Sequence, residues 1–385
     1  MANTLTGLIT DLYAGLDTVS RELVGYIPAA RRDTTAERAA VNQQVKFPIV
    51  GDMAAADVTP ASTSPATANQ TIGNDYITIS KSRGVRFTWN GEEQKGLNNA
   101  SMPIYSPIFR DQVAQAIRTL TNEIELDLHN EVYTSASRAY GTAGTPPFGT
   151  AGDFTDFSNI IKILNDNGAG AAERHLVLSS AAAANLRGKQ STLFKVNEAG
   201  SADMLRNGAL GVVQGLMLHE SYPIGVHTKG TGAGYLVNNV SGIAVGGTTI
   251  AADTGTGTIL AGDIVTFAAD TANKYVVNSA LAGGEFAIGK PGSRILIPND
   301  NAITVGNSYT PNMVFTKGAV GLATRLPAMP TTGDGADDQM LITDPISGLT
   351  FEVLVYKQTR QVTFEVAIAW GVKAIKPEHI VTLIG

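Results

Sequence analysis

The sequence predicts an α+β fold built from several unlike segments. Three observations point there. Residues 107–133 carry one unbroken helical stripe of apolar side chains. Residues 349–370 alternate apolar and polar side chains as two strands joined by a short turn. Residues 227–306 are rich in Gly, Thr and Val, with short strand-like runs and little helical periodicity. No internal repeat is visible, and 385 residues suffice for two or three folding units.

The elements follow in chain order. Leu5, Leu8, Leu12, Leu16, Val19 and Leu23 recur at three- and four-residue steps, which predicts an amphipathic helix over 4–25 that Pro28 ends. A polar connection with Arg31, Arg32, Glu37 and Arg38 comes next. A terminal helix of this kind can pack on its own domain or on a neighbour, and the sequence leaves both open. Ala, Thr, Ser, Pro and Asn dominate 51–72, the composition of a mobile loop. Tyr76-Ile77-Thr78-Ile79 and Val85-Arg86-Phe87-Thr88-Trp89, separated by a turn at Ser82-Arg83-Gly84, predict a hairpin. With the loop at its tip it makes a long two-stranded arm. An isolated ribbon of this kind is marginal in water and needs a partner surface.

Pro107 suits a first helical turn. Phe109, Val113, Ile117, Leu120, Ile124 and Leu128 form the stripe that follows, with Arg110, Arg118, Glu123, Glu125 and Asp127 on other faces. At 1.5 Å per residue this helix is roughly 40 Å long, a spine for its domain. Residues 154–225 alternate helix (Phe157–Leu164, Ala181–Leu186, Ala202–Asn207) and strand (His175–Leu178, Leu216–Leu218). Leu260–Phe267, Lys274–Val277 and Arg294–Pro298 read as short strands between turns, the spacing of a small inserted β-barrel. Leu349, Phe351, Val353 and Val355, then Val362, Phe364, Val366, Ile368 and Trp370, predict an antiparallel hairpin turning at Lys357–Arg360.

Composition narrows the function classes. Hydrophobic residues make up 43% and charged residues 16%, against roughly 25% charged in an average globular domain. A weakly charged surface costs little to desolvate against another subunit. The formal net charge of −6 argues against tight, sequence-independent nucleic-acid binding by the molecule as a whole, while leaving room for a local basic patch. With no cysteine, disulfides, thiolate metal sites and cysteine nucleophiles are excluded. Met1-Ala2-Asn3-Thr4 lacks the basic start and apolar run of a signal peptide, and no stretch approaches 18 apolar residues. Folding in the cytoplasm without a membrane span is the expectation.

No complete catalytic or ligand motif stands out. Gly284-Glu285-Phe286-Ala287-Ile288-Gly289-Lys290 fits most of a phosphate loop. Pro291 stands where Ser or Thr should hold Mg²⁺, so a turn is the better reading. His219-Glu220 begins a zinc-protease pattern, but Pro223 replaces the second histidine. His129, His175, His227 and His379 share no ligand spacing. Gly230-Thr231-Gly232-Ala233-Gly234 lacks the context of a dinucleotide loop and reads as a flexible crossing. Asp334, Asp337 and Asp338 lack the alternating oxygen ligands of a Ca²⁺ loop. Arg83 and Arg86, flanking Phe87 and Trp89, admit three readings: a nucleic-acid platform, a hairpin with one packed and one wet face, or a bridge to acidic groups on a neighbouring subunit. The packed-and-wet hairpin fits the alternation best.

The order of parts resembles the major capsid proteins of tailed bacteriophages with the Hong Kong 97-like fold. Within that family the chain resembles podoviral coat proteins with an inserted β-barrel, through Leu260-Ala261-Gly262-Asp263-Ile264-Val265-Thr266-Phe267 and Phe286-Ala287-Ile288-Gly289-Lys290-Pro291-Gly292. Ala369-Trp370-Gly371-Val372-Lys373-Ala374-Ile375-Lys376-Pro377-Glu378-His379-Ile380 resembles the family's closing strand and turn. The resemblance implies an N-terminal arm (1–45), an extended loop (46–100), a peripheral domain (101–153 and 310–385) with its spine helix at 107–133, an axial domain (154–226) and an inserted β-barrel (227–309). It implies a shell subunit that forms pentamers and hexamers of itself. The expected partners are a scaffolding protein, a portal protein, a decoration protein and double-stranded DNA held non-specifically on the inner face. The setting would be a virion capsid assembled in the host cytoplasm, with no membrane, enzyme activity, cofactor or metal. Arg31, Arg32, Arg83, Arg86, Phe87 and Trp89 are the candidate intersubunit contacts. Family members that cross-link their shells use a lysine and an asparagine; neither aligns here, so no cross-link is carried over. The alternatives are an encapsulin-like compartment of the same fold that encloses cargo protein, or a β-rich cell-surface binding protein that would need export.

Overall fold

A computed structural model describes residues 22–50, 72–97, 105–189 and 211–385. The chain begins with a helical turn α1 (Tyr26–Ala29) and strands β1 (Arg31–Ala39), β2 (Gln44–Val50), β3 (Ile72–Thr78) and β4 (Lys81–Asn90). Helices α2 (Gly91–Leu97) and α3 (Tyr105–Thr134) follow. Then come β5 (Arg138–Gly141), α4 (Thr155–Asp166), β6 (Arg174–Leu178), α5 (Ser180–Lys189), β7 (Val212–Val213) and β8 (Leu216–Glu220). Six strands occupy the middle: β9 (Leu236–Val237), β10 (Thr249–Asp253), β11 (Ile264–Phe267), β12 (Asp270–Ala282), β13 (Glu285–Ile288) and β14 (Ile303–Val305). The last are β15 (Pro311–Thr316), β16 (Val320–Pro327), β17 (Asp338–Thr343), β18 (Thr350–Gln358), β19 (Gln361–Ala374) and β20 (Ile380–Ile384). Helices lie beside mixed sheets, so the class is α+β.

The stripe on α3 explains the first layer. Phe109, Val113, Ile117, Leu120, Ile124 and Leu128 are all buried, and α3 runs 30 residues, about 45 Å. It lies on a sheet ordered β1-β16-β19-β18-β17, with β4 paired to the other side of β19. Phe351, Val353 and Val355 of β18 and Phe364, Val366, Ile368 and Trp370 of β19 share one core with the helix, as strand alternation requires. Trp370, fully buried, donates its indole N–H to Asp127 of α3 at 2.8 Å.

A second layer pairs β7-β8-β6-β15-β20-β5. Phe157, Ile160 and Leu164 of α4 pack with Leu176, Leu178, Leu186, Val314, Val381 and Leu383 in a separate core. From β5 the pairing passes to β12 and into the middle strands. There the order β9-β10-β13-β12-β11-β14 returns on itself, because Leu236 bridges Ala302 and the Ile303 N–H donates to the Tyr235 carbonyl at 2.9 Å. Val237, Ile250, Val265, Phe267, Tyr275, Val277, Phe286 and Ile288 fill the inside of this ring.

Several sequence expectations need correction. The predicted 4–25 helix falls mostly outside the described residues; 22–25 are not helical, and Pro28 sits inside α1 rather than ending a helix. Residues 31–39 are not a connection but a strand, paired in parallel with β16. The 76–89 hairpin does not form. Strand β3 pairs with β2, and β4 pairs with β19 across ten registered positions, Asn90↔Gln361 to Lys81↔Trp370. The reason is geometric: β19 offers an open edge of matching length, whereas Ser80 sends its N–H to the Trp370 carbonyl and so steers the chain into that edge. Arg294–Pro298 forms no strand, only a bridge between Ile297 and Ile243. The predicted loop at 51–71 and the predicted 202–207 helix lie outside the described residues.

Candidate intersubunit surface

The two faces of the six-stranded sheet have opposite chemistry. On β4, Val85, Phe87 and Trp89 point toward α3, and Phe87 lies 5.5 Å from the Phe364 ring and 5.8 Å from Phe109. The Trp89 indole N–H donates to Gln112 at 2.8 Å. Both aromatics, expected among the intersubunit contacts, instead pack within this chain against α3 and β19, on the face opposite Arg86 and Thr88 as the alternation anticipated. Arg83, on the helix side, pairs with Glu123 of α3 at 3.1 Å. Lys81 joins the same group, 3.2 Å from Glu123 and 2.8 Å from Asp127.

The opposite face is a band of ion pairs. Arg86 reaches Glu365 at 3.1 Å, and this carboxylate raises the Arg86 guanidinium above its usual range. Arg38 of β1 grips Glu352, which is 1% exposed, and donates to the Pro327 carbonyl at 2.6 Å. Arg325, itself buried, holds Asp33 at 3.3 Å. The Tyr356 hydroxyl donates to Asp334 at 2.6 Å; burial first, then this bond, pushes its titration up. A Cβ at Gly84 would press on the Glu365 carboxylate and displace it from Arg86. Arg32 donates to the Ser347 carbonyl at 2.7 Å, and Arg31 lies beside it on β1. Arg31, Arg32, Arg83 and Arg86 are all exposed.

Sequence reasoning singled out Arg83 and Arg86 but missed Arg38 and Arg325 as ion-pair partners, and with them Glu352, Glu365 and Asp33; Glu123 was placed on the helix without its partner. A visible signal existed: Glu352 and Glu365 are the acidic residues of β18 and β19, each set among apolar neighbours.

Projecting from the same sheet is the β2–β3 ribbon. Its pairing runs from Gln44↔Thr78 to Val50↔Ile72 and, among the described residues, joins no further strand. Ile77 and Ile79 pack its base against Ala323 and Ala369, and Lys373 binds Asp75 there. Gly371 lets the ribbon backbone approach, because any side chain would strike the Thr78 carbonyl. Seven residues at 3.3 Å rise carry the ribbon about 20 Å.

The motifs weighed earlier resolve into structure. Gly284 lies in the β12–β13 turn, with Phe286 and Ile288 buried behind it and Lys290 exposed. His219 Nε2 meets His175 Nδ1 at 3.0 Å. The Gly230–Gly234 crossing is pinned rather than flexible: Asp263 accepts the Gly230 and Leu260 N–H groups and bonds His227 at 2.9 Å. Asp337 accepts the Lys357 N–H at 2.6 Å. Among the described residues, no group of three or more His, Asp or Glu could hold a metal ion, and no helix is long and apolar enough to cross a membrane.

No family model matches the chain, and no curated protein does. Solved structures do. One, titled as the capsid structure of the cyanophage P-SCSP1u, aligns at 12% identity and a TM-score of 0.48, covering 95% of this chain and 89% of that one. The mature capsid of bacteriophage PhiM1 aligns at 11% and 0.46, covering 96% and 89%. A virus-like particle from Pyrococcus furiosus aligns at 11% and 0.40, covering 98% of both chains.

Proposed function

We propose that the chain is the major capsid protein of a tailed bacteriophage, a structural subunit that tiles with copies of itself into an icosahedral shell. The observation that carries this reading is the β2–β3 ribbon: a two-strand pair that packs at its base on a helix-backed sheet and, among the described residues, pairs with no other strand. Such a ribbon is marginal unless another surface covers it, and a neighbouring copy supplies one in a closed lattice. The sequence resemblance supports the same reading through the order of arm, spine helix, α/β layer, middle strands and closing strands. In this reading the ribbon overlaps a neighbour, and the layer around α4 and α5 lines a local symmetry axis. The ring of middle strands is an inserted domain that braces the subunit. Arg31, Arg32, Arg83 and Arg86 serve as boundary contacts, their exposed ends meeting acidic groups of the next copy. Scaffolding, portal and decoration proteins are the further partners. DNA lies against the inner face without sequence preference, and the charge of −6 suits a genome packed by a motor rather than condensed by its coat. No catalysis belongs to the subunit.

Electron microscopy of the purified protein, with its scaffold supplied, tests the reading. Regular closed shells are expected. A correctly folded chain that stays monomeric under every assembly condition would refute it. The contents of shells made in the cell separate a DNA-filled phage capsid from the encapsulin-like alternative, which would hold protein.

A further inference from the structure

Glu125 sits at the middle of α3, fully buried. Its Oε1 accepts the backbone N–H groups of Gly25 at 2.5 Å and Tyr26 at 2.7 Å and the Ser221 hydroxyl at 2.5 Å; its Oε2 accepts the Ile27 N–H at 3.0 Å. A carboxylate out of water is tolerated only when donors surround it, and four do. Burial still pushes its titration up. The segment it holds is threaded between α3 and the chain leaving β8. The Leu23 carbonyl accepts the Tyr222 N–H at 3.1 Å, and Glu22 binds Arg118 and Asn122. Gly25 is the residue that fits: a Cβ there would lie 2.9 Å from Val177 and 3.1 Å from the Glu220 carbonyl and Ser221. One turn along α3, His129 Nδ1 meets the Tyr26 hydroxyl at 3.0 Å.

We propose that Glu125 is a positioning residue, a built-in receptor for the backbone of residues 25–27 that fixes this segment against α3 and the chain leaving β8. It reads consecutive amides rather than side chains, so the strap is held as one unit and is released as one unit.

Hydrogen exchange on the full chain tests it. Glu125→Ala is expected to speed exchange at Gly25, Tyr26 and Ile27 at least tenfold, with the β18 and β19 amides unchanged. Glu125→Gln keeps one acceptor oxygen and should fall between the two. Unchanged exchange at 25–27 in Glu125→Ala overturns the proposal, since packing of Tyr26 and Ile27 would then suffice. A rise spread evenly over the chain overturns it too. If Glu125→Ala does not fold, Ser221→Ala removes a single donor. A smaller but localised rise at 25–27 then supports the receptor, and none refutes it. Failure of the unsubstituted chain to form shells, alongside the expected exchange pattern in Glu125→Ala, would count against the shell reading and not against this one.

Discussion

The sheet under α3 and the ring of middle strands are both β-rich, and they hold together in different ways. The sheet draws β1, β4 and β16–β19 from opposite ends of the chain, and its core is closed by a helix from a third place. The ring draws every core residue from one stretch, Tyr235 to Ile303. Its contacts are local in sequence, and the sheet's are not. Damage to the sheet should therefore unfold the molecule as a whole, while damage inside the ring should stay there first.

The largest expected effect tests that contrast directly. Trp370→Ala removes a fully buried side chain at the meeting of β19 and α3, and about 4 kcal/mol of stability with it. Phe267→Ala in the ring should cost a similar amount but show as a separate early transition in thermal unfolding. One shared transition in both variants would break the comparison. Next comes Arg38→Ala, which leaves the buried Glu352 carboxylate unmatched at a cost of about 3 kcal/mol by denaturant titration. Arg38→Ala with Glu352→Gln should recover much of it.

Acidification comes third. Burial lowers His129 and His175 from 6.5 to about 4. The unfolded chain takes up protons below pH 6.5 that the folded one refuses. Stability is therefore full above that value and falls between pH 6.5 and about 4, by up to about 3 kcal/mol for each histidine. Glu125, raised by burial, works in the opposite sense, because folding favours its protonated form. A denaturation midpoint that does not move between pH 7 and pH 4.5 would contradict this balance. The smallest effect is Arg86→Ala. Its side chain is 70% exposed, so the pair with Glu365 should be worth under about 1 kcal/mol to the isolated subunit. Any large effect of this variant should appear in assembly yield instead, and its absence there would remove Arg86 from the boundary contacts.

How far the sequence could be read follows from the same contrast. The helix α3 was legible because its stripe is contiguous. The closing β18–β19 hairpin was legible because its partners are adjacent. The alternation on β4 correctly separated Phe87 and Trp89 from Arg86. Its pairing partner was invisible, since β19 lies some 280 positions on and hairpin reasoning looks only to neighbours. Strand β1 escaped for another reason. It is polar, and its pairing to β16 is made by backbone groups, so its side chains carry little strand signal. The ion-pair band was half visible: cations stood out, but their carboxylates sit on other strands.

The parallel pairing of β1 with β16 has a consequence for biosynthesis. Residues 31–39 leave the ribosome early and must wait for residues 320–327 and then for β19, which pairs with β16 and β4. The middle ring can close in the meantime. The apolar stripe of α3 is thus uncovered for most of translation, and the last tenth of the polypeptide seals it. A ribosome stalled near residue 340 would display a finished ring on an unfinished host.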